Sequence, residues 1–285
     1  MNRTPDATFK PCATPIRRAD SARQTVVLLH SSSASSRQWD SLVDQLRPWF
    51  DVHAIDLHGH GRQAPWARRR PLTVHDEAAL ALPLIERAGG AHLIGHSYGG
   101  AVAVHLAASR PALVRSVAVY EPVLFGLLAE HEAHTPAARE AFDLAATLRA
   151  HVAHGDLDRA AQRFVDYWSC GPAWQQLAPR QQRSVATRMP IVVQHFDALY
   201  AESLPATRLT RLSMPLLCLS GDRTTAAAAR IARLLRRLLP TACHQTLSEL
   251  GHMAPITSPT RVNEHLVRHL ARHEPAMQMA ESVAA

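Results

Sequence analysis

The sequence predicts an α/β fold: a mostly parallel sheet with helices on both faces and a helical cap inserted between two strands. Short apolar runs alternate with amphipathic stretches over the first 123 residues, which is typical of a parallel sheet. Helical patterns then follow one another over 124–206 before the alternation resumes. The 285 residues, 47% of them hydrophobic, suffice for one large domain with an inserted subdomain. We expect a core at 1–123 and 207–273, a cap at 124–206 and a disordered tail at 274–285.

Six strands are predicted, four before the cap and two after it. The first and third are short apolar runs, as expected for strands covered on both faces. In chain order the six are "TVVLLH" (25–30), "DVHAID" (51–56), "AHLIGH" (91–96), "VRSVAVYE" (114–121), "MPLLCLSG" (214–221) and "TACHQTLSE" (241–249).

Amphipathic helices are predicted between these strands. The serines that follow the first strand can cap a helix in which Trp39, Leu42, Val43 and Leu46 recur at helical spacing. Further helices are predicted over 72–88, 98–109, 226–238 and 259–273, with three more inside the cap.

Composition argues against several classes of protein. The net charge is +7, but the arginines are scattered and form no basic stripe with interleaved aromatic residues, so no nucleic-acid partner is expected. The N-terminus has no apolar signal-peptide core, and no uninterrupted apolar run is long enough to span a membrane. The four cysteines lack a C-x-x-C spacing and are expected to be free thiols in the cytoplasm. No oligomeric state is predicted.

The 18 histidines raise the question of a metal site. The closely spaced sets are His58/His60, His131/His134, His151/His154 and His265/His269/His273. A zinc site needs three or four ligands of matched geometry, usually with cysteine or carboxylate ligands, and none of these sets provides that. We therefore expect no metal.

The stretch "LIGHSYGGA" places Ser97 where the third strand ends and a helix begins. Its G-x-S-x-G spacing, with Gly95 and Gly99 on either side, is typical of a serine nucleophile held on a tight turn. His252, in "SELGHMAP", follows the last strand and therefore lies at the same end of a parallel sheet. A serine needs a base to remove its proton, and we expect His252 to be that base.

Acyl transfer also requires hydrogen-bond donors for a developing oxyanion. The amide of Tyr98 lies at a helix N-terminus, where backbone N–H groups lack intrahelical acceptors. The second amide is expected from the loop after the first strand, and Ser32 is the candidate.

Five motifs, "LLHSSSASSRQW", "VHAIDLHGHGR", "LIGHSYGGA", "SVAVYEP" and "LSELGHMAP", occur here in the order found in cap-bearing α/β-hydrolases. The chain resembles this superfamily over roughly residues 25–125 and 210–272. The resemblance implies a Ser–His–acid triad, no cofactor, and hydrolysis of an ester or related acyl bond. Haloalkane dehalogenases and epoxide hydrolases carry aspartate at the position of Ser97, which argues against those two activities.

Two positions depart from the family pattern. His30-Ser31 stands where relatives usually have His-Gly, and Thr224 stands where they usually carry the triad acid. Two nearby carboxylates remain candidates for the acid. Glu121, which ends the fourth strand, is preferred because haloalkane dehalogenases, among others, keep an acid there; Asp222 in the "GDRTT" turn is the alternative. A histidine without a working carboxylate is the third possibility.

The preferred function is a serine hydrolase for a small acyl or aryl ester, with thioester and vinylogous carbon–carbon bonds as near variants. Aromatic and apolar cap residues are expected either to line the substrate pocket or to pack the cap: Phe125, Leu127, Phe164, Tyr167, Trp168 and Trp174. One alternative is a ligand-binding protein with slow or no turnover, since fold alone does not establish activity. Another is a cofactor-free perhydrolase or acyltransferase.

Overall fold

Six strands form one sheet in the computed structural model, which describes residues 23–273 and Met277. The strands are β1 (Thr25–Leu29), β2 (Asp51–Ile55), β3 (Ala91–His96), β4 (Val114–Tyr120), β5 (Leu216–Gly221) and β6 (Cys243–Leu247). Their order is β2-β1-β3-β4-β5-β6, and every neighbouring pair is parallel. Each observed strand lies within a predicted strand, so the predicted fold class is confirmed. Apart from Met277, the predicted tail lies outside the described residues.

Twelve helices accompany the sheet in the described part of the chain. They are α1 (Asp40–Leu46), α2 (Val74–Arg87), α3 (Tyr98–Ser109), α4 (Phe125–Glu132), α5 (Pro136–Ala153), α6 (Leu157–Trp168), α7 (Pro179–Ala186), α8 (Met189–Ala201), α9 (Ala206–Leu209), α10 (Ala226–Leu238), α11 (Ala254–Thr257) and α12 (Pro259–Ala271). None of the helices between residue 23 and residue 273 is long and apolar enough to cross a membrane.

The sheet buries both of its faces, because alternate side chains along a strand point to opposite sides. Val27 and Leu29 of β1 pack in one core with α2, α3, α10 and the helices inserted after β4. Val26 and Leu28 of the same strand pack in a second core with α1 and α12. This arrangement explains why the central strands are apolar at successive positions.

The register of the three central strands brings their carboxyl ends to one level. Gly95 of β3 pairs with Leu29 of β1 and with Val119 of β4. The residues that follow these strands therefore emerge side by side at one edge of the sheet. The predicted nucleophile and the preferred acid are among them.

The segment between β4 and β5 contains α4–α9, where three helices had been predicted. Three pairs of acidic and basic side chains join it to the core helices. Glu132 of α4 pairs with Arg230 and, at 3.3 Å, with Arg237, both on α10. His105 of α3 lies 3.0 Å from Glu202, just after α8. The inserted helices are thereby tied to elements that lie against the sheet.

Candidate functional site

Ser97 occupies a strained turn between β3 and α3. Its backbone has φ +55° and ψ −117°, a combination that L-residues adopt at a cost of about 1–3 kcal/mol. Gly95 and Gly99 make this turn possible, because a Cβ at Gly95 would collide with the Gly99 carbonyl oxygen and one at Gly99 with that of Leu29. The turn presents the Ser97 hydroxyl beyond the carboxyl end of β3.

The imidazole of His252 joins Ser97 to Glu121. Its Nε2 lies 2.8 Å from Ser97 Oγ, and its Nδ1 lies 2.8 Å from Glu121 Oε2. All three residues are at least nine-tenths buried. With the Nδ1 hydrogen donated to the carboxylate, Nε2 is free to accept the hydrogen of the serine hydroxyl.

Glu121 follows β4 directly and has φ +42°. Its Oε1 accepts a hydrogen bond from the Gly221 amide at 2.8 Å, and its Oε2 accepts one from the Thr224 hydroxyl at 2.7 Å. The side chain at the usual acid position thus supports the carboxylate at 121. Asp222, by contrast, is exposed and has no hydrogen bond to His252 among the described residues. Of the two candidate acids, the structure brings only Glu121 to the histidine.

A second chain of hydrogen bonds connects His252 to the loop after β1. His96 donates from Nε2 to the His252 carbonyl at 2.8 Å and accepts at Nδ1 from the Gln38 amide at 3.1 Å. Gln38 Oε1 in turn accepts from both the amide and the hydroxyl of Ser31, at 3.1 and 2.9 Å. Ser31, which departs from the family glycine, therefore has a definite partner. Sequence analysis did not find Gln38 or His96, since neither spacing nor position marks them.

Two amides in the predicted oxyanion positions lack acceptors. The neighbouring amides of Ser31 and Ser33 are engaged, by Gln38 and by His60 Nε2 respectively. Within residues 23–273, neither Ser32 N–H nor Tyr98 N–H has a hydrogen-bond acceptor. Both amides therefore lack a protein acceptor in this part of the chain, and their role as oxyanion donors stays a prediction.

Buried neutral histidines hold the same loop in place. His30 donates from Nδ1 to the Ser31 carbonyl at 2.7 Å and accepts at Nε2 from the Leu57 amide at 3.0 Å. His60 donates from Nδ1 to the His58 carbonyl at 2.8 Å while accepting from Ser33. Burial lowers the pKa of His30 to about 4 and that of His60 to about 2. Both rings therefore act as neutral donor–acceptor pairs.

The predicted cap residues separate into two groups. Trp168 of α6 stacks on His252, with ring centroids 4.0 Å apart and an interplanar angle of 27°. Phe125 and Tyr167 contact Trp168 in turn, at 6.4 and 4.9 Å between centroids. Trp174 packs at the edge of the larger core and has no ring contact in the described part of the chain. The structure therefore brings Trp168 onto His252, whereas no ring contact joins Trp174 to this aromatic cluster among the described residues.

Among residues 23–273, no group of three or more His, Cys, Asp or Glu side chains is arranged to hold a metal ion.

Known proteins resemble this chain over most of its length. It is 25% identical over 240 residues to a pimeloyl-[acyl-carrier protein] methyl ester esterase of Yersinia pseudotuberculosis, covering 82% of this chain and 88% of the relative. The crystal structure of the enol-lactonase from Burkholderia xenovorans LB400 superimposes with a TM-score of 0.67 at 20% identity, over 87% of this chain and 92% of that one.

For two other curated relatives, the similarity covers only part of the relative's sequence. The chain spans 28% and 37% of their lengths, over 105 and 99 residues. The second of them, Lipase LipV from Mycobacterium tuberculosis, is 37% identical and is matched by 35% of this chain. The family described as "Alpha/beta hydrolase family" matches this chain over residues 26–265. With its parallel sheet, its serine turn and this match, the chain belongs to the alpha/beta hydrolase family.

Proposed function

We propose that this protein is a serine hydrolase that cleaves a carboxylic ester through an acyl-enzyme on Ser97. The observation that carries the proposal is the continuous chain Ser97–His252–Glu121, with 2.8 Å at each of its two links. A serine hydroxyl becomes an effective nucleophile when a neighbouring base can take its proton. The esterase and lipase relatives support an ester as the substrate.

In the proposed mechanism, Ser97 Oγ attacks the ester carbonyl carbon while His252 Nε2 takes the hydroxyl proton. The amides of Tyr98 and Ser32 donate to the negative oxygen of the tetrahedral intermediate. His252 then passes the proton to the departing alcohol, which leaves an acyl ester on Ser97. Water, deprotonated by the same nitrogen, attacks that ester; His252 returns the proton to Ser97 Oγ as the acid is released.

Glu121 is the proposed acid of the triad. A carboxylate on Nδ1 fixes the tautomer of the histidine and stabilises the imidazolium formed in each half-reaction. The hydrogen bonds from Gly221 and Thr224 hold this carboxyl group in position. Thr224 is proposed as a positioning residue in place of the missing aspartate.

The segment at 124–206 is proposed as a cap over the site, and Trp168 is its proposed contact with substrate. The indole covers one face of His252, so it excludes water from the base and provides an apolar wall. Phe125 and Tyr167 extend this aromatic cluster from the same segment. We therefore propose a small acyl or aryl ester as the substrate, with a thioester as a near variant.

The direct test is labelling with a fluorophosphonate, followed by peptide mass spectrometry and a panel of nitrophenyl esters of graded chain length. Labelling at Ser97, absent in Ser97→Ala, together with turnover that falls about 10⁴-fold or more in that variant, is expected for a nucleophile. The matched control is Ser35→Ala, in the loop after β1. Turnover retained by Ser97→Ala would refute the mechanism, and labelling without turnover of any ester would favour the ligand-binding alternative.

A further inference from the structure

A second buried chain of polar side chains lies behind the loop after β1, and the proposed mechanism does not use it. His195 of α8 has its Nδ1 2.8 Å from Ser32 Oγ and its Nε2 3.4 Å from Glu77 Oε1. The side chains of His195 and Glu77 are both 0% exposed. The Tyr98 ring stacks on His195 at 3.8 Å between centroids, with an interplanar angle of 6°. Ser32 therefore connects this buried pair to the candidate oxyanion site.

The pair formed by His195 and Glu77 determines the direction of the hydrogen bond between His195 and Ser32. Burial lowers the pKa of His195 well below its usual value, so the ring is neutral and carries one hydrogen. His195 Nε2 makes no hydrogen bond among the described residues, but it lies 3.4 Å from Glu77 Oε1, and the negative charge of that carboxylate favours the hydrogen on Nε2. The other carboxylate oxygen of Glu77 accepts from the His58 amide at 3.0 Å. Nδ1 is then an acceptor, and the Ser32 hydroxyl donates its hydrogen to it. The Ser32 oxygen keeps lone pairs, but its hydrogen is not available to substrate.

The covalent geometry of serine indicates which substrate group could donate a hydrogen bond to the lone pairs of Ser32 Oγ. The amide nitrogen and Oγ of Ser32 are separated by two carbon atoms, Cα and Cβ. The carbonyl oxygen and the hydroxyl oxygen of a 2-hydroxyacyl group are likewise separated by two carbon atoms. A substrate whose carbonyl oxygen accepts from the Ser32 amide can therefore place a 2-hydroxyl beside Ser32 Oγ. Ser32 as a residue is only partly buried.

We propose that Ser32 Oγ accepts a hydrogen bond from the 2-hydroxyl of the acyl group, and that the enzyme prefers 2-hydroxyacyl esters to their deoxy counterparts. This inference rests on the proposed function, because it places the ester carbonyl against the Ser32 amide. A neutral hydroxyl suits the site better than an ammonium group, since the Arg188 guanidinium donates to the neighbouring Ser33 carbonyl at 2.9 Å. Glu77 and His195 are positioning residues in this account.

The test compares kcat/KM for phenyl esters of 2-hydroxypropanoate, propanoate and 2-methoxypropanoate. It is run at about pH 8.5, above the pKa of Glu77, which burial raises to about 7. The 2-hydroxy ester is expected to exceed the propanoate by about tenfold, the effect of one net hydrogen bond. The 2-methoxy ester can accept but not donate, and it should show no such advantage. An equal advantage for the 2-methoxy ester would mean that Ser32 donates, which would overturn the proposal.

Ser32→Ala should lower the ratio of 2-hydroxy to propanoate kcat/KM about tenfold, whereas the control Ser35→Ala should preserve it. Circular dichroism and fluorophosphonate labelling of Ser97 establish that each variant is folded and has an activated serine. Equal kcat/KM values for the two esters in a wild-type protein that labels at Ser97 would refute this inference alone. Absence of both labelling and ester hydrolysis would refute the proposed function, and this inference with it.

Discussion

The two sides of the candidate site are built differently. Ser97 and Glu121 directly follow neighbouring strands, and both have a positive φ, +55° at the serine and +42° at the glutamate. The loop after β1 instead depends on hydrogen bonds to the side chains of Gln38, His60 and His195, which lie 7, 27 and 163 residues from their partners in the loop. The comparison teaches that sheet register places the reacting groups, whereas buried polar contacts shape the surface to which a substrate carbonyl would bind.

The largest expected effect tests the strand-end side. Glu121→Gln should lower kcat for a nitrophenyl ester by roughly 10⁴-fold, because an amide there disturbs the histidine tautomer and removes the charge that stabilises the imidazolium. Asp222→Asn is the matched control and should change kcat little, since Asp222 is exposed. Steady-state kinetics on folded proteins measures both, and the reverse ranking would assign the acid to Asp222.

The same comparison can be sharpened by moving the carboxylate. Thr224 Oγ1 and His252 Nδ1 both contact Glu121 Oε2. Combining Glu121→Ala with Thr224→Asp should therefore recover at least about tenfold of the activity lost in Glu121→Ala alone, as expected if a carboxylate at either strand end can orient the histidine. No recovery in a folded double variant would mean that only the β4 end can supply the acid.

The next effect tests whether the two sides are coupled. Gln38→Leu removes both of the hydrogen bonds that Ser31 makes to Gln38, together with the one that Gln38 donates to His96. We expect kcat to fall by about 10–100-fold, because the loop after β1 and His252 lose their common support. A shift in the pH dependence of kcat/KM should accompany this loss, because His96 also holds the His252 carbonyl. Gln45→Leu, on the exposed face of α1, is the control. An unaltered kcat and pH profile in Gln38→Leu would show that the strand-end side and the loop after β1 act independently.

A smaller change is expected from the aromatic wall. Trp168→Ala should alter the preference among nitrophenyl esters of different chain length several-fold, since it opens the space above His252. Trp174→Ala should leave the preference unchanged, because that ring has no contact with the aromatic cluster in the described chain. Identical profiles for the two variants would assign Trp168 to cap packing only.

The smallest effect concerns stability. Because burial holds the pKa of His30 near about 4 and that of His60 near about 2, the unfolded chain binds more protons than the native one below about pH 6.5. The free energy of unfolding should therefore fall as the pH drops from about 6.5 towards 4, by up to about 1.4 kcal/mol per pH unit for each histidine. His60→Gln should reduce that slope in urea titrations, whereas exposed His131→Gln should not. The same slope in both variants would exclude His60 as a source of acid sensitivity.

Much of the fold and part of the candidate site follow from patterns along the chain. Apolar runs predicted the central strands, because burial on both faces demands them, whereas the edge strands β2 and β6 are only partly buried. Parallel pairing places the ends of the strands together. Glu121 and Asp222 could not be separated in the same way, since both follow strands at the same edge. The hydroxyl of Thr224 and the amide of Gly221 distinguish them, and those contacts exist only after β4 and β5 have paired.

The sequence by itself determined the sheet, the serine turn and the position of His252, because each depends on a local pattern of apolar residues, glycines and strand ends. Only the tertiary structure decided how Gln38, His96 and His195 are used. Their partners lie 7, 58, 156 and 163 residues away along the chain, and their hydrogen bonds form between side chains that no periodicity relates. Buried polar groups must find partners wherever packing brings them, and so the shape of the loop after β1 is a property of the folded molecule.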